Sequence, residues 1–106
     1  MDVDERLLQT IVDCILSVTR PERIILFGSA ATGDMGPDSD LDLLVIEHGF
    51  TNAREESIRL RAALESVDVP ADIFPMHPER FEETKNVIGG LAFPANKYGV
   101  VIYEAT

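Results

Sequence analysis

Positive charge, cysteine and long apolar runs are all scarce in this chain of 106 residues, and each shortage excludes something. Nine basic residues face nineteen acidic ones, for a net charge of −10. Non-specific nucleic-acid binding is driven by neutralising phosphates, so nucleic acid is not the expected partner, although a local basic patch remains open. The acidity suits a metal ion or a basic partner, and it equally serves plain solubility. A single cysteine, Cys14, leaves no internal disulfide to form, as in a cytosolic protein. Cys14 shares a helical face with Leu7, Ile11 and Val18, so it reads as a small core residue rather than a nucleophile. No apolar run reaches the ~20 residues that a membrane span needs. The first residues, MDVDERLL, are acidic and carry no secretory n-region. A cytoplasmic protein is expected, without export or membrane insertion.

What is present suits one globular unit. The hydrophobic share of 45% is ordinary for a folded domain. A chain of this length buries roughly 65% of its extended surface, enough for one core and not two, so residues 1–106 are expected to form a single domain. No repeat, linker or low-complexity tract interrupts it.

Residues 3–18 have the period of an amphipathic helix, with Val3, Leu7, Ile11, Cys14, Ile15 and Val18 on one apolar arc, and Pro21 ends it. RIILF (23–27) reads as a buried strand. Gly28 and Ser29 turn the chain, SAAT can begin a short helix, and DMGPDS (34–39) is a loop of breakers. Residues 41–46 form a second strand, and His48–Gly49 turns the chain again. A helix over about 52–67 starts at an Asn52 cap with Glu55 three residues on, and buries Leu60, Ala63, Leu64 and Val67. Its run Glu55–Glu56–Ser57 reads as a solvated face. PADIFPM (70–76) is a third strand, kept short by its prolines. PERFEET is a helical turn, and a helix over about 87–98 is started or kinked at Pro94. Gly99 is a C-terminal cap, and VVIY (100–103) a last strand. The order α-β-α-β-α-β-α-α-β implies the α/β or α+β class, a mixed sheet backed by helices.

The chemistry concentrates in IILFGSAATGDMGPDSDLDLLVI (24–46). Asp40 and Asp42 stand at i and i+2, so on a strand they project from one face. A buried, unpaired carboxylate costs several kcal/mol or becomes neutral, so the pair is expected to point at something positive. DSD beside a strand start is often only a solvated turn, but Asp42 is surrounded by aliphatic residues. A strand that turns at glycine into a helix offers backbone N–H groups and the Ser29 hydroxyl to a phosphate. Mg²⁺ takes oxygen ligands and shares them with substrate phosphates. Asp72 is the only acid in the third strand. It would complete a two-metal site as ligand and proton acceptor. His48 and His77 lie in turns without a paired ligand, and Tyr98 and Tyr103 read as packing or partner contacts.

The spacing Gly28-Ser29, then Ser39-Asp40-Leu41-Asp42-Leu43, then Asp72 resembles the nucleotidyltransferase superfamily related to DNA polymerase beta. The resemblance is to the minimal nucleotidyltransferases (MNT) of the HEPN/MNT toxin–antitoxin type. Their pattern is a strand, G-S-x-A-R-G, S-D-x-D-L and a third acid on a later strand. The tail, ending in Gly99-Val100-Val101-Ile102-Tyr103, is also similar, so the likeness runs from about residue 20 to 104. It implies a polymerase-beta-like fold in which Gly28, Ser29, Thr32, Gly33 and Ser39 bind nucleotide. Asp40, Asp42 and Asp72 would be the catalytic, metal-binding acids, holding two Mg²⁺ ions with ATP as substrate. The motif arginine is replaced by Thr32, which does not supply its charge. Arg23, Arg54 and Lys97 are the cations considered as substitutes.

The resemblance implies transfer of a nucleoside monophosphate from an NTP, AMP from ATP, to a hydroxyl of a protein, an antitoxin modifying its HEPN-type helical partner. Two alternatives stand beside it. One is an antitoxin that acts by contact alone, with a weakened or inactive site. The other is a subunit of a small-molecule transferase of the aminoglycoside-modifying type, whose relatives carry a second helical domain. A homo-oligomer is compatible with each reading.

Overall fold

A computed structural model describes residues 4–32 and 40–106. The elements follow in the expected order. They are α1 (Glu5–Leu16), β1 (Arg23–Phe27), α2 (Ser29–Thr32), β2 (Leu41–Ile46), α3 (Ala53–Ala63), β3 (Ala71–Met76), α4 (Pro78–Thr84), α5 (Ala92–Tyr98) and β4 (Val100–Glu104). No helix among the described residues is long and apolar enough to cross a membrane.

The four strands form one mixed sheet in the order β3-β2-β1-β4. β1 is antiparallel to β2 and β4, whereas β2 and β3 run parallel. Parallel neighbours need a crossover, which α3 supplies. β1 and β2 are nearly continuous apolar runs because both of their faces are covered. Ile24, Leu26, Leu41, Leu43, Val45 and Ile73 pack with α1, Ala30 of α2 and Leu60 of α3 on one face. Ile25, Phe27, Leu44 and Ile46 pack with Phe81 of α4 and Ala92 and Ala95 of α5 on the other. β3 and β4 are the edges, and only an edge strand tolerates a residue such as Pro75 that cannot donate to a ladder.

The helices differ from expectation in identifiable ways. α1 is capped by Asp4, whose carboxylate accepts from Arg6 N, and it buries Leu8, Ile11, Val12 and Ile15. Its buried stripe is therefore turned from the expected arc: Val18 lies beyond the helix and is exposed, and Cys14 is half-buried against the core. Val3 lies outside the described residues. α3 has the expected Asn52 cap, with Oδ1 accepting from Glu55 N at 3.0 Å, but it stops at Ala63. Leu64, Glu65 and Val67 N–H groups instead close short turns onto Arg61, Ala62 and Leu64 carbonyls, which swings the chain towards β3. Pro94 lies in the first turn of α5, where a missing N–H costs nothing, so it starts the helix rather than kinking it. Gly99 caps α5 in extended backbone. A Cβ there would strike the Ala95 carbonyl and Ile25 side chain.

One expectation fails outright: Glu56 is not on a solvated face. It is buried, beside Glu47 at the end of β2, which is only 2% exposed. Arg59 binds both Glu56 oxygens at 2.8 Å and donates to Val18 O at 2.7 Å. Thr19 donates to Glu47 Oε1 at 2.7 Å, so the network ties the end of α1 to β2 and α3. The other oxygen, Oε2, is sealed from solvent and meets no donor among the described residues. A proton on Glu47 resolves this, because it can be donated to Glu56. Burial, then the hydrogen bond with Glu56, pushes the Glu47 carboxyl up to about 7. Hydrogen bonds from Arg59 hold Glu56 below its ordinary value.

The two shifts act in opposite directions on stability. Glu47 binds its proton more tightly folded than unfolded, so its contribution is full at acid pH and is lost as pH rises through about 7. Glu56 contributes above its unfolded value and loses that contribution as pH falls. Thermal unfolding followed by circular dichroism should therefore show Tm falling between about pH 5 and 7 and levelling off above. Glu47→Gln, which keeps the shape and a donor, should flatten that fall and raise Tm at pH 8 by about 4 °C. An unchanged slope would assign the fall to other groups.

Candidate functional site

β1 delivers the chain to Gly28, which has φ +74°, a left-handed conformation that favours glycine. The Gly28 carbonyl accepts from Ala31 and Thr32 N–H groups at 3.1 and 3.3 Å, which bends the chain straight into α2. Glycine is required for a second reason. A Cβ at this position would run into Oδ2 of Asp42. The Asp42 carboxylate thus rests on the backbone of the turn. Ser29 is half-buried there. Thr32 is exposed at the end of α2, its Oγ1 3.4 Å from the Gly28 and Ser29 carbonyls.

Register brings the acids together. Asp42 pairs across the ladder with Phe27 on one side and with Asp72 on the other. All three project from the sheet face that carries Phe74, whose ring lies 5.9 Å from that of Phe27. Asp40 is exposed just before β2, where Leu41 N donates to Pro70 O at 3.0 Å and holds the starts of β2 and β3 level. The electrostatics agree with this placement. Asp42 is raised above its ordinary carboxylate value by burial first, then by the charges of Asp72 and Asp40. Asp42 therefore sits in a field of like charge at this end of the sheet.

Asp72 has a cation already. Arg61 of α3 donates from Nη2 to Asp72 Oδ1 at 3.0 Å. The pair divides two clefts. One, of about 330 Å³, includes Asp40, Leu64, Val69 and Ala71 in its wall. The other, of about 300 Å³, includes Arg54, Ser57, Phe74 and Leu91. Among the described residues, no three His, Cys, Asp or Glu side chains converge closely enough to hold a metal ion as they stand. The donors on offer are nonetheless all carboxylate oxygens crowded by like charge, the chemistry that suits Mg²⁺.

The sequence expectations thus divide. The structure brings together Gly28, Ser29, Asp42 and Asp72, with Asp40 near enough to act on Asp42. Gly33 and Ser39 lie outside the described residues. Of the cations considered as substitutes for the motif arginine, Arg54 lines a cleft with Asp72. Arg23 instead lies over Phe81 near Glu82 and Glu104, and Lys97 lies over Phe93 and Tyr98. Arg61 is the residue that sequence reasoning missed. No motif marks it, because its approach to Asp72 depends on where α3 ends. Neither histidine joins the acids: His48 faces Glu22 and Glu79, and His77 stacks on Phe50 and meets its carbonyl.

Two substitutions separate a poised site from a structural turn. In metal-free protein at pH 7, Asp42→Asn should raise Tm by about 2–5 °C, because it removes a charge that the fold repels. The gain should shrink as pH falls and the wild-type carboxyl takes up its proton; a solvated capping acid would give no gain. Gly28→Ala should cost about 1–2 kcal/mol in urea unfolding, from the left-handed backbone and the displaced Asp42 carboxylate.

No curated protein is significantly similar to the chain in sequence. Two of the solved structures that share its fold illustrate the likeness. One is a chain of a toxin–antitoxin crystal structure with AMP-PNP, at TM-score 0.69 and 16% identity, covering 92% of this chain and 73% of that one. The other is a Sulfolobus solfataricus protein assigned as a nucleotidyltransferase, at TM-score 0.64 and 20% identity, covering 93% and 81%. At such identities the likeness is one of fold, the same mixed sheet with its helices. The family model of the nucleotidyltransferase domain matches residues 7–90, a stretch that includes the glycine turn and all three acids, and the chain belongs to that family.

Proposed function

We propose that this chain transfers a nucleoside monophosphate, AMP from ATP, to a hydroxyl of a partner protein, as the antitoxin of a HEPN-type toxin. The observation that carries the reading is the Asp42 carboxylate resting on the Gly28 turn, in register with Asp72. Gly28 and Ser29 hold the triphosphate, with Thr32, Gly33 and Ser39 completing the nucleotide positions. Asp40, Asp42 and Asp72 would hold Mg²⁺, which supplies charge neutralisation for the phosphates and acidifies the attacking hydroxyl. In the reaction the acceptor oxygen forms a bond to the α-phosphorus, and the bond from the α-phosphorus to the β-bridging oxygen breaks. Pyrophosphate leaves, and Asp72 takes the hydroxyl proton.

A protein acceptor is favoured by what surrounds the acids. The clefts beside them are small and open, so they hold little of an acceptor. Leu91 lines the cleft with Asp72, and the segment leading to it exposes Val87 (57%) and Ile88 (82%), apolar side chains that suit a protein surface. The toxin–antitoxin neighbour, crystallised with an ATP analogue, supports the same direction.

The test uses ATP labelled at the α-phosphate, Mg²⁺ and an extract of the source cells. Wild-type protein should label one protein band, and Asp42→Asn should lower that label on the order of 10²-fold or more. Label that survives Asp42→Asn would overturn the assignment. Thr32 favours a second reading, in which the chain neutralises its partner by contact alone. Under that reading the Asp40→Asn/Asp42→Asn double variant still neutralises the partner in cells. Under the first, neutralisation is lost while binding persists.

A further inference from the structure

Arg61 holds the carboxylate that the proposed chemistry needs. Its guanidinium is 3.0 Å from Asp72 Oδ1, and both side chains keep water contact, at 59% and 41% exposure. Such a pair is weak and reversible. Arg61 also lines both clefts beside Asp72, so it can reach other anions without leaving the site. Arg54 lines only one of these clefts and, among the described residues, makes no ion pair with Asp72, which makes it a natural comparison.

We propose that Arg61 is a positioning residue that competes with the divalent cation for Asp72 and makes metal loading depend on nucleotide. This rests on the reading of the three acids as a metal–nucleotide site. Without nucleotide, the guanidinium neutralises Asp72 and leaves Asp40 and Asp42 to bind a cation poorly. A triphosphate entering beside Asp72 offers Arg61 a second anion of higher charge. The guanidinium moves to it, and Asp72 is released to the ion. Nucleotide and metal therefore strengthen each other's binding through one side chain, and by linkage the coupling is the same in both directions. The same exchange places a guanidinium against the phosphates, a charge that Thr32 does not supply from the motif position.

The experiment is Mn²⁺ binding by full-length protein, read from the spin-resonance signal of the free ion, with and without a non-hydrolysable ATP analogue. Wild type should bind Mn²⁺ weakly alone and more tightly with the analogue. Arg61→Gln should bind Mn²⁺ alone roughly two- to fivefold more tightly, the worth of an exposed ion pair, and should lose most of the enhancement by nucleotide. Arg54→Gln removes the same charge from the same cleft and should change Mn²⁺ affinity less. In an Asp72→Asn background, Arg61→Gln should have no further effect. Unchanged or weaker Mn²⁺ affinity in a folded Arg61→Gln variant, with wild type showing normal nucleotide-dependent binding, overturns the role of Arg61 alone. An equal gain in Arg54→Gln also overturns it, since a general field would then suffice. Absence of Mn²⁺ binding in every protein, analogue included, overturns the metal reading and this role with it.

Discussion

The parallel pairing of β2 with β3 determines both what the site is and how the chain must be arranged to make it. It sets Asp42 beside Asp72 in register, whereas flush antiparallel pairing of the same segments would set Asp42 opposite Pro75. It obliges a crossover, and α3 supplies one that also carries Arg61. Ser57 of α3 donates to Ile73 O at 2.6 Å, fixing the helix along the strand it leads to. It also leaves β1 to pair with the other side of β2, so Phe27 and the Gly28 turn arrive opposite Asp42. A slip of one residue between β2 and β3 would turn Asp42 and Asp72 to different faces, and a slip between β1 and β2 would carry the Gly28 turn away from Asp42.

Much of this was legible in the sequence because strong local signals agree. RIILF and LDLLVI are apolar runs bounded by breakers, and both strands fall where that pattern puts them. The third strand follows Pro70 and the PERFEET helix begins at Pro78, and the rigid φ of each proline marks the start. The glycine turn and Asp-x-Asp were readable as chemistry because acids are out of place among buried aliphatic residues. What escaped depends on distance in space rather than period in sequence. Glu56 looks like part of a charged helix face until Glu47 and Arg59 are found around it. Arg61 looks like any surface cation until α3 stops at Ala63 and the chain doubles back to Asp72. The sequence does not mark the end of α3, because Leu64 and Val67 continue the helical period beyond Ala63. They are half-buried or buried, but through a turn that satisfies the same stripe.

The two ends of β2 show why one fold can hold a permanent carboxylate and an expectant one. Glu47, at the far end, is enclosed with Glu56 and lacks a partner for one oxygen. Its environment answers by raising affinity for a proton, and Arg59 and Thr19 hold the remaining oxygens in place. The result joins α1, β2 and α3 and asks for nothing from solvent except that proton. Asp42, at the near end, is also pushed towards its protonated form, but its neighbours are Asp72 and Asp40 rather than a closed set of donors. It is less enclosed, so a cation of higher charge can reach it where only a proton reaches Glu47. Neighbouring carboxylates that destabilise one another are a cost to the fold alone. That cost is what gives a divalent ion a larger gain on arrival, since one ion relieves several repulsions at once. The Arg61–Asp72 pair lowers the cost while the site waits, and it is weak enough to yield. The chain is thus closed around a proton just beyond one end of β2 and left open to a cation at the other, across a strand of six residues.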